Sequence, residues 1–349
     1  MKVLTVVGAR PQFVKAAPVS RELAARTGIV ECLVHTGQHH DVALSAAQFT
    51  SLGLRNADQN LGINGGSAGS MVGRMVVALD EVLAEELPDV VLVYGDTNST
   101  AAGALAAAHH DVPVAHVEAG LRSYDRTMPE ERNRVMTDHL STLLFTPTQT
   151  AVDNLAREGI RHGVHQVGDV MLDAFLASPP DAAAAQGMLE SLGLEQGAYV
   201  IATLHRAETT ATADALGSRL AFVRGVANGL PVVMPLHPRT RAAAARLSVS
   251  FDGITLVDPV DYRTFSALLS QSALIATDSG GVQKEAYFHR IPCVTLRSET
   301  EWPETIRAGW NRLWTEPEQD ASRQDIADDG TGRTAVAIVD VLGAHFDVR

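Results

Sequence analysis

Residues 116–134, HVEAGLRSYDRTMPEERNR, hold four acidic side chains, four arginines and a histidine in nineteen positions, directly after an apolar run that reads as a buried strand. An ordinary loop needs only Gly, Ser and Asn there. Glu118 follows VPVAHV at once and should be half-buried. A carboxylate in that position needs a partner or a raised pKa, and either marks it as a candidate acid–base group. Glu130 and Glu131 follow Pro129 and open a helix, where the dipole favours acids in any case. Asp96, in GDTNST, ends another strand and stands in the N-cap region of the next helix, so capping competes with chemistry as its explanation.

A second group suits phosphate. TDSGGVQKEA, 277–286, has a strand before it and a helix after it, which sets Ser279, Gly280 and Gly281 at a helix N-terminus. Free N–H groups and the helix dipole favour an anion there, and glycine permits close backbone approach. The bland alternative is a Ser-capped helix behind a Gly turn. Glu285 faces the same mouth and can accept from ribose hydroxyls, unless it is a solvated helix charge. Arg10, in GARP, lies over the end of the first strand with a fork suited to a diphosphate, and Lys15 follows on the same helix. His205 and Arg206, after AYVIATL, and His237, in PLHPRTR, end strands of the second half and project toward the same ligand. Carboxylates at one set of strand ends and a phosphate seat at another are what acid–base chemistry on a sugar nucleotide requires.

The elements that position these groups are short apolar runs alternating with amphipathic or alanine-rich segments, the pattern of βαβ units with parallel sheets. KVLTVV, VECLVHT, DVVLVYG, VPVAHVE, TLLFTP and HQVGD read as strands of a first half, with a helix at 97–110. AYVIATL, LPVVMPL, GITLVD, ALIATDS and IPCVTLR read as strands of a second. The expected fold is α/β, with two doubly wound Rossmann-like domains facing a cleft: 1–177, then 178–330, with a helix in 331–349 packing back on the first domain. Ligands of open parallel sheets bind beyond the carboxyl ends of the strands. The charged loops all fall at those ends, whereas HHDVP and ANGLP at the opposite ends are plain.

The totals agree. A chain of 349 residues, 46% hydrophobic, can build two cores. Its formal charge of −13 disfavours nucleic acid or an anionic membrane as a partner. Two distant cysteines make neither a disulfide framework nor a cysteine-based metal site. With no apolar run of about eighteen residues and no leader pattern, the chain reads as soluble and cytoplasmic.

GARPQFVKAAPV, TGQHHD, GDTNST, HVEAGLRS, MPEERNRVMTDHLS, HRAE and DSGGVQKEAYF…PCVTLRSETEWPE closely resemble the non-hydrolysing UDP-N-acetylglucosamine 2-epimerases, in order, from residue 1 to about 310. The resemblance implies a GT-B-like fold, no metal, no nicotinamide cofactor, and a homodimer. It implies interconversion of UDP-GlcNAc and UDP-ManNAc through loss of UDP to a 2-acetamidoglucal and re-addition. Asp96, Glu118, Glu130 and His205 fall at the family's catalytic positions. Arg10, Ser279, Gly280, Gly281 and Glu285 fall at its UDP contacts, with Lys15 nearby. Of the regulatory UDP-GlcNAc site of many bacterial members, only Gln38 and Arg74 carry over. QKEAYF and CVTLRSETEW are closer to a branch acting on UDP-2,3-diacetamido-glucuronic acid. A hydrolysing 2-epimerase, a GT-B glycosyltransferase and a non-catalytic sensor are the other readings, the last disfavoured by the presence of all four acid–base residues.

Overall fold

The computed structural model describes residues 1–38, 49, 51–206, 208–317 and 322–347. The chain divides into two compact units, Met1–Ser178 with Ala327–Arg349, and Pro179–Ile326. Each is an α/β unit around one parallel sheet.

The first unit's sheet has the order β3-β2-β1-β4-β5-β6-β7. Its strands are β1 (Lys2–Val7), β2 (Val30–His35), β3 (Gln59–Asn60), β4 (Val90–Tyr94), β5 (Val114–Val117), β6 (Leu143–Thr146) and β7 (Val164–Gln166). Val and Leu dominate the central strands because helices cover both faces, which leaves no polar side to alternate with. Val3, Leu4, Val6, Val90, Val91 and Val93 are all fully buried, and Val3 pairs Val90 while Val6 pairs Val93. The two-residue β3 carries no apolar run, so the sequence pattern does not disclose it.

Helices α1 (Arg10–Ala25), α2 (Ala68–Glu86), α3 (Asn98–His109), α4 (Pro129–Leu140), α5 (Gln149–Arg157) and α6 (Val170–Ala177) complete this unit with α13 (Thr334–His345). Pro11 lies in the first turn of α1 and Pro129 opens α4, where the missing N–H costs nothing. The last helix, α13, buries Ile338, Val339 and Leu342 and packs on α1 and α6.

The second unit's sheet has the order β10-β9-β8-β11-β12-β13. These strands are β8 (Val200–Thr203), β9 (Val232–Pro235), β10 (Ile254–Val257), β11 (Leu274–Thr277), β12 (Cys293–Thr295) and β13 (Asn311–Leu313). Between them run α7 (Ala182–Leu192, before β8), α8 (Ala213–Val226), α9 (Pro238–Leu247), α10 (Tyr262–Ser270), α11 (Gly280–Phe288) and the short α12 (Pro303–Arg307). Cys32 and Cys293 are free and buried, as expected of core residues.

In both sheets the strand order reverses once, between β1 and β4 in the first and between β8 and β11 in the second. At such a reversal neighbouring crossovers leave in opposite directions and open a crevice at the carboxyl ends. The loops there carry Arg10, Asp96, His205 and Ser279.

Candidate active site

In the first unit the side chains at the reversal converge on one cluster. Lys15, an interior residue of α1, sends its ammonium to Glu118 Oε2. Its helix is fixed by Gln12, whose side chain accepts from the N–H of Gly8 (2.8 Å) and Ala9 (3.0 Å) and donates to the Tyr94 carbonyl (3.2 Å). Asp96 pairs with Arg134 of α4, and Asn133 donates to the Asp96 carbonyl at 3.0 Å. The cap of α3 is Thr97, which accepts from Thr100, so capping does not account for Asp96.

Glu118 sits just past β5 with a φ of 71°, a region that strains any side-chain-bearing residue. Its N–H and that of Ala119 both donate to the Phe145 carbonyl, each at 3.0 Å. Burial pushes the Glu118 carboxyl up, Asp169 and Asp96 push it further, and Lys15 opposes them without prevailing. Lys15 is lowered by burial but raised more by Glu118, Asp96 and Asp169, and ends above its usual value. The two shifts share a cause, since Asp96 and Asp169 raise both groups. Asp169 was not singled out from sequence. It ends the HQVGD run past β7, is buried, and caps α6 by accepting from Met171 at 2.9 Å.

Gly95 closes this cluster from beneath. It has a φ of 61°, and a Cβ there would lie 3.0 Å from Glu118 Oε2 and 3.2 Å from Lys15 Nζ. Its left-handed backbone favours glycine, and a side chain there would have to push Glu118 or Lys15 aside.

Part of the charge in residues 116–134 holds these groups. His116 is fully buried in β5, with Nδ1 2.7 Å from Asp138 Oδ1 and Nε2 2.7 Å from the Gly95 carbonyl. The other Asp138 oxygen accepts from Arg122 (2.7 Å) and from the Gly120 N–H (3.1 Å). Arg122 also makes two 2.7 Å bonds to Glu158. Burial would raise the Asp138 carboxyl, but His116 and Arg122 outweigh it and hold it below the usual carboxylate value. Glu131 accepts from the N–H groups of Ser123 and Tyr124, both at 2.9 Å, and from Arg134 at 3.1 Å. Of the two acids that open α4, Glu131 is thus buried and structural, while Glu130 is half-buried in the first turn.

In the second unit Asp278 organises the loop after β8. It is fully buried and accepts from the N–H of His205 (2.9 Å) and of Arg206 (2.9 Å), with His205 Nδ1 3.4 Å from its Oδ1. The ring of the exposed His237 lies 5.8 Å from that of His205. Ser279 is the N-cap of α11, accepting from Val282 at 3.5 Å.

At Gly280 a Cβ would fall 2.3 Å from Glu301 Oε1, so its lack of a side chain makes room for Glu301. Glu301 is held by Arg297 at 2.8 Å and lies 3.6 Å from Arg206. Gly281 follows in the first turn of α11, and Glu285 is buried rather than solvated. Lys284, between them, is wholly buried with its ammonium 4.6 Å over the Trp302 ring.

Gln38 and Arg74 have separate local engagements. Gln38 accepts from the Ser99 N–H (3.0 Å) and hydroxyl (2.7 Å), and Arg74 donates to the Asn64 (2.9 Å) and Gly65 (2.5 Å) carbonyls. Residues 39–43, the rest of the regulatory segment, lie outside the described residues. Among the described residues no group of three or more His, Cys, Asp or Glu is placed to hold a metal ion, and no helix is long and apolar enough to cross a membrane.

Comparison with known proteins follows the same geometry. The chain is 47% identical over 320 residues to a UDP-N-acetylglucosamine 2-epimerase homolog of Methanococcus maripaludis, covering 90% of this chain and 88% of that one. It is 47% identical over 318 residues to the UDP-2,3-diacetamido-2,3-dideoxy-D-glucuronate 2-epimerase of Pseudomonas aeruginosa, with the same coverages of 90% and 88%. The crystal structure of the Methanocaldococcus jannaschii UDP-GlcNAc 2-epimerase, in complex with UDP-GlcNAc and UDP, superposes with a TM-score of 0.91 at 36% identity, over 99% of this chain and all of that one. The sequence profile described as UDP-N-acetylglucosamine 2-epimerase matches residues 21–330, and the chain belongs to that family.

Proposed function

We propose that this protein interconverts UDP-GlcNAc and UDP-ManNAc. The C2 hydrogen is taken as a proton while the C1–O bond to UDP breaks with its electron pair, giving 2-acetamidoglucal and UDP. Return of a proton to the opposite face of C2 and re-addition of UDP at C1 complete the exchange. The observation that carries this reading is the buried Lys15–Glu118 pair, with the half-buried Asp96 nearby, at the strand-order reversal of the first sheet. The C2 hydrogen is weakly acidic, so its base must be poorly solvated, and a carboxyl held above its usual range can both take and return a proton.

In this reading Asp96 and Glu118 handle the protons, with Glu130 in support. His205 assists the leaving phosphate from a ring oriented by Asp278. Arg10, Arg206, His237, Ser279, Gly280, Gly281 and Glu285 hold UDP, so the second unit is the nucleotide-binding one. The α11 N-terminus is the phosphate seat, with free N–H groups and the dipole as its means. A cytoplasmic homodimer belongs to the same proposal, and sedimentation of the purified protein checks the dimer.

A second reading has a specific support. Identity to the P. aeruginosa diacetamido-glucuronate enzyme is 47%, against 39% to a M. maripaludis UDP-N-acetylglucosamine 2-epimerase. The same elimination on a sugar with a second acetamido group and a carboxylate would follow.

Proton NMR in D2O with each nucleotide sugar decides. Deuterium at C2 of UDP-GlcNAc, with UDP-ManNAc building to a mixture, supports the first reading. Exchange only on the diacetamido-glucuronate supports the second, and free ManNAc with stoichiometric UDP points to hydrolysis.

A further inference from the structure

The buried histidine of β5 is bonded to groups that support the Lys15–Glu118 pair and Asp96. The carbonyl it reaches, at 2.7 Å from Nε2, belongs to Gly95, whose Cα forms the wall beneath Glu118 Oε2 and Lys15 Nζ and whose next residue is Asp96. The carboxylate it reaches, at 2.7 Å from Nδ1, belongs to Asp138 of α4, the helix that also carries Glu130 and Arg134. Asp138 in turn holds the Gly120 N–H at 3.1 Å, two residues beyond Glu118. A backbone carbonyl only accepts, so Nε2 donates to Gly95, while Nδ1 shares a hydrogen bond with the Asp138 carboxyl. Its two partners lie on separate elements, the turn after β4 and helix α4.

We propose that His116 is a positioning residue: a strut, bonded at both ring nitrogens, that fixes the Gly95–Asp96 turn, the Glu118–Gly120 turn and α4 at the mutual distances proton transfer requires. The proposal rests on the epimerase reading above. Misplacement of a reacting group by about 1 Å can cost about a hundredfold in rate, while in that reading UDP is held by residues outside the three elements His116 joins.

The test measures deuterium exchange at C2 for His116→Ala and His116→Gln, with UDP affinity by calorimetry and Tm for each. Asp173→Asn is the control, a buried carboxylate that caps α13 through the N–H of Thr334 (3.1 Å) and Ala335 (2.8 Å) and should destabilise the same unit without altering kcat. H116A is expected to lose at least about tenfold in kcat, with KM and UDP affinity within about twofold of wild type. H116Q, which can keep one N–H toward Gly95, is expected to recover part of the loss. The proposal is overturned if kcat of H116A falls no further than that of D173N at equal loss of Tm, or if UDP affinity falls in parallel. Should H116A fail to fold, H116Q is held to the same criteria. A wild-type protein that exchanges C2 of neither nucleotide sugar would sink the epimerase reading and this role together, whereas an active wild type with an equally active H116A rejects His116 alone.

Discussion

Lys15 and Glu118, 103 positions apart in the chain, form an ion pair whose side chains are only 10% and 8% exposed. Removing one partner of a buried pair leaves the other charge uncompensated, at a cost of about 3–5 kcal/mol. In Lys15→Met the burial of Glu118 and the charges of Asp96 and Asp169 act without opposition, so its carboxyl should rise further. The acid limb of the kcat profile for C2 exchange should therefore move to higher pH by about one unit or more. An unmoved limb would mean that Glu118 is not the titrating base.

Glu118→Gln keeps the shape of the site and removes the base. It should abolish C2 exchange while UDP affinity stays near wild type, and Arg10→Ala should mainly weaken UDP. Equal loss of exchange and affinity in E118Q would make Glu118 a structural carboxylate, and unchanged affinity in R10A would take Arg10 out of the phosphate site.

Arg134 holds two carboxylates at once, Asp96 through Nη2 and Glu131 through Nη1. A lysine ammonium lacks that planar fork, so Arg134→Lys is expected to release one of them. We expect kcat to fall about 10–100-fold with UDP affinity unchanged, measured by single-turnover exchange and calorimetry. Weakened UDP binding with intact kcat would argue that Arg134 serves the nucleotide.

Gly280→Ala places a methyl 2.3 Å from Glu301 Oε1, which cannot retreat freely because Arg297 grips the same carboxylate at 2.8 Å. Overpacking of this kind costs about 1–3 kcal/mol and should tilt the first turn of α11. Both Tm and UDP affinity are expected to drop. Wild-type values for both would show that the contact yields without consequence and that the phosphate is seated elsewhere.

Asp138 has a direct consequence for acid stability. Its carboxyl lies below the usual value in the folded protein, so it contributes stability above the ordinary carboxylate pKa that is lost as pH falls through the folded value. Asp138→Asn should lower stability at neutral pH by about 3–5 kcal/mol and flatten the acid slope. Urea unfolding from pH 7 to pH 3 measures both, and parallel curves for the two proteins would contradict the assignment.

The parallel sheets and the charged strand ends were legible because both follow from local pattern. Buried parallel strands are unbroken apolar runs, and the residue after each run has to be one that the sheet's mouth accepts. Partnerships were not legible. Nothing near Asp96 in sequence announces Arg134, so the N-cap region looked a sufficient account of it, although Thr97 does the capping. The roles of Glu130 and Glu131 differ by one position on a helix whose facing loop, at Ser123 and Tyr124, is known only from the fold. Asp169, Asp278, Lys284 and Glu301 sit beside ordinary-looking strand or helix ends, and their importance depends on segments brought together from elsewhere in the chain. Glycine at 280 signals a close approach in sequence, but its neighbour Glu301 is visible only in the fold.

The helix 334–345, which covers α1 and α6, has a consequence for how the protein is made. The first unit is interrupted by the whole of residues 179–326, so a ribosome delivers its last helix after the second unit has already emerged. Until then the surfaces of α1 and α6 that will receive Ile338, Val339 and Leu342 stay open to water and to other chains. The nascent protein must therefore hold a nearly finished sheet in waiting while an independent body forms beyond it, and that interval is when chaperones and misassembly compete for the chain.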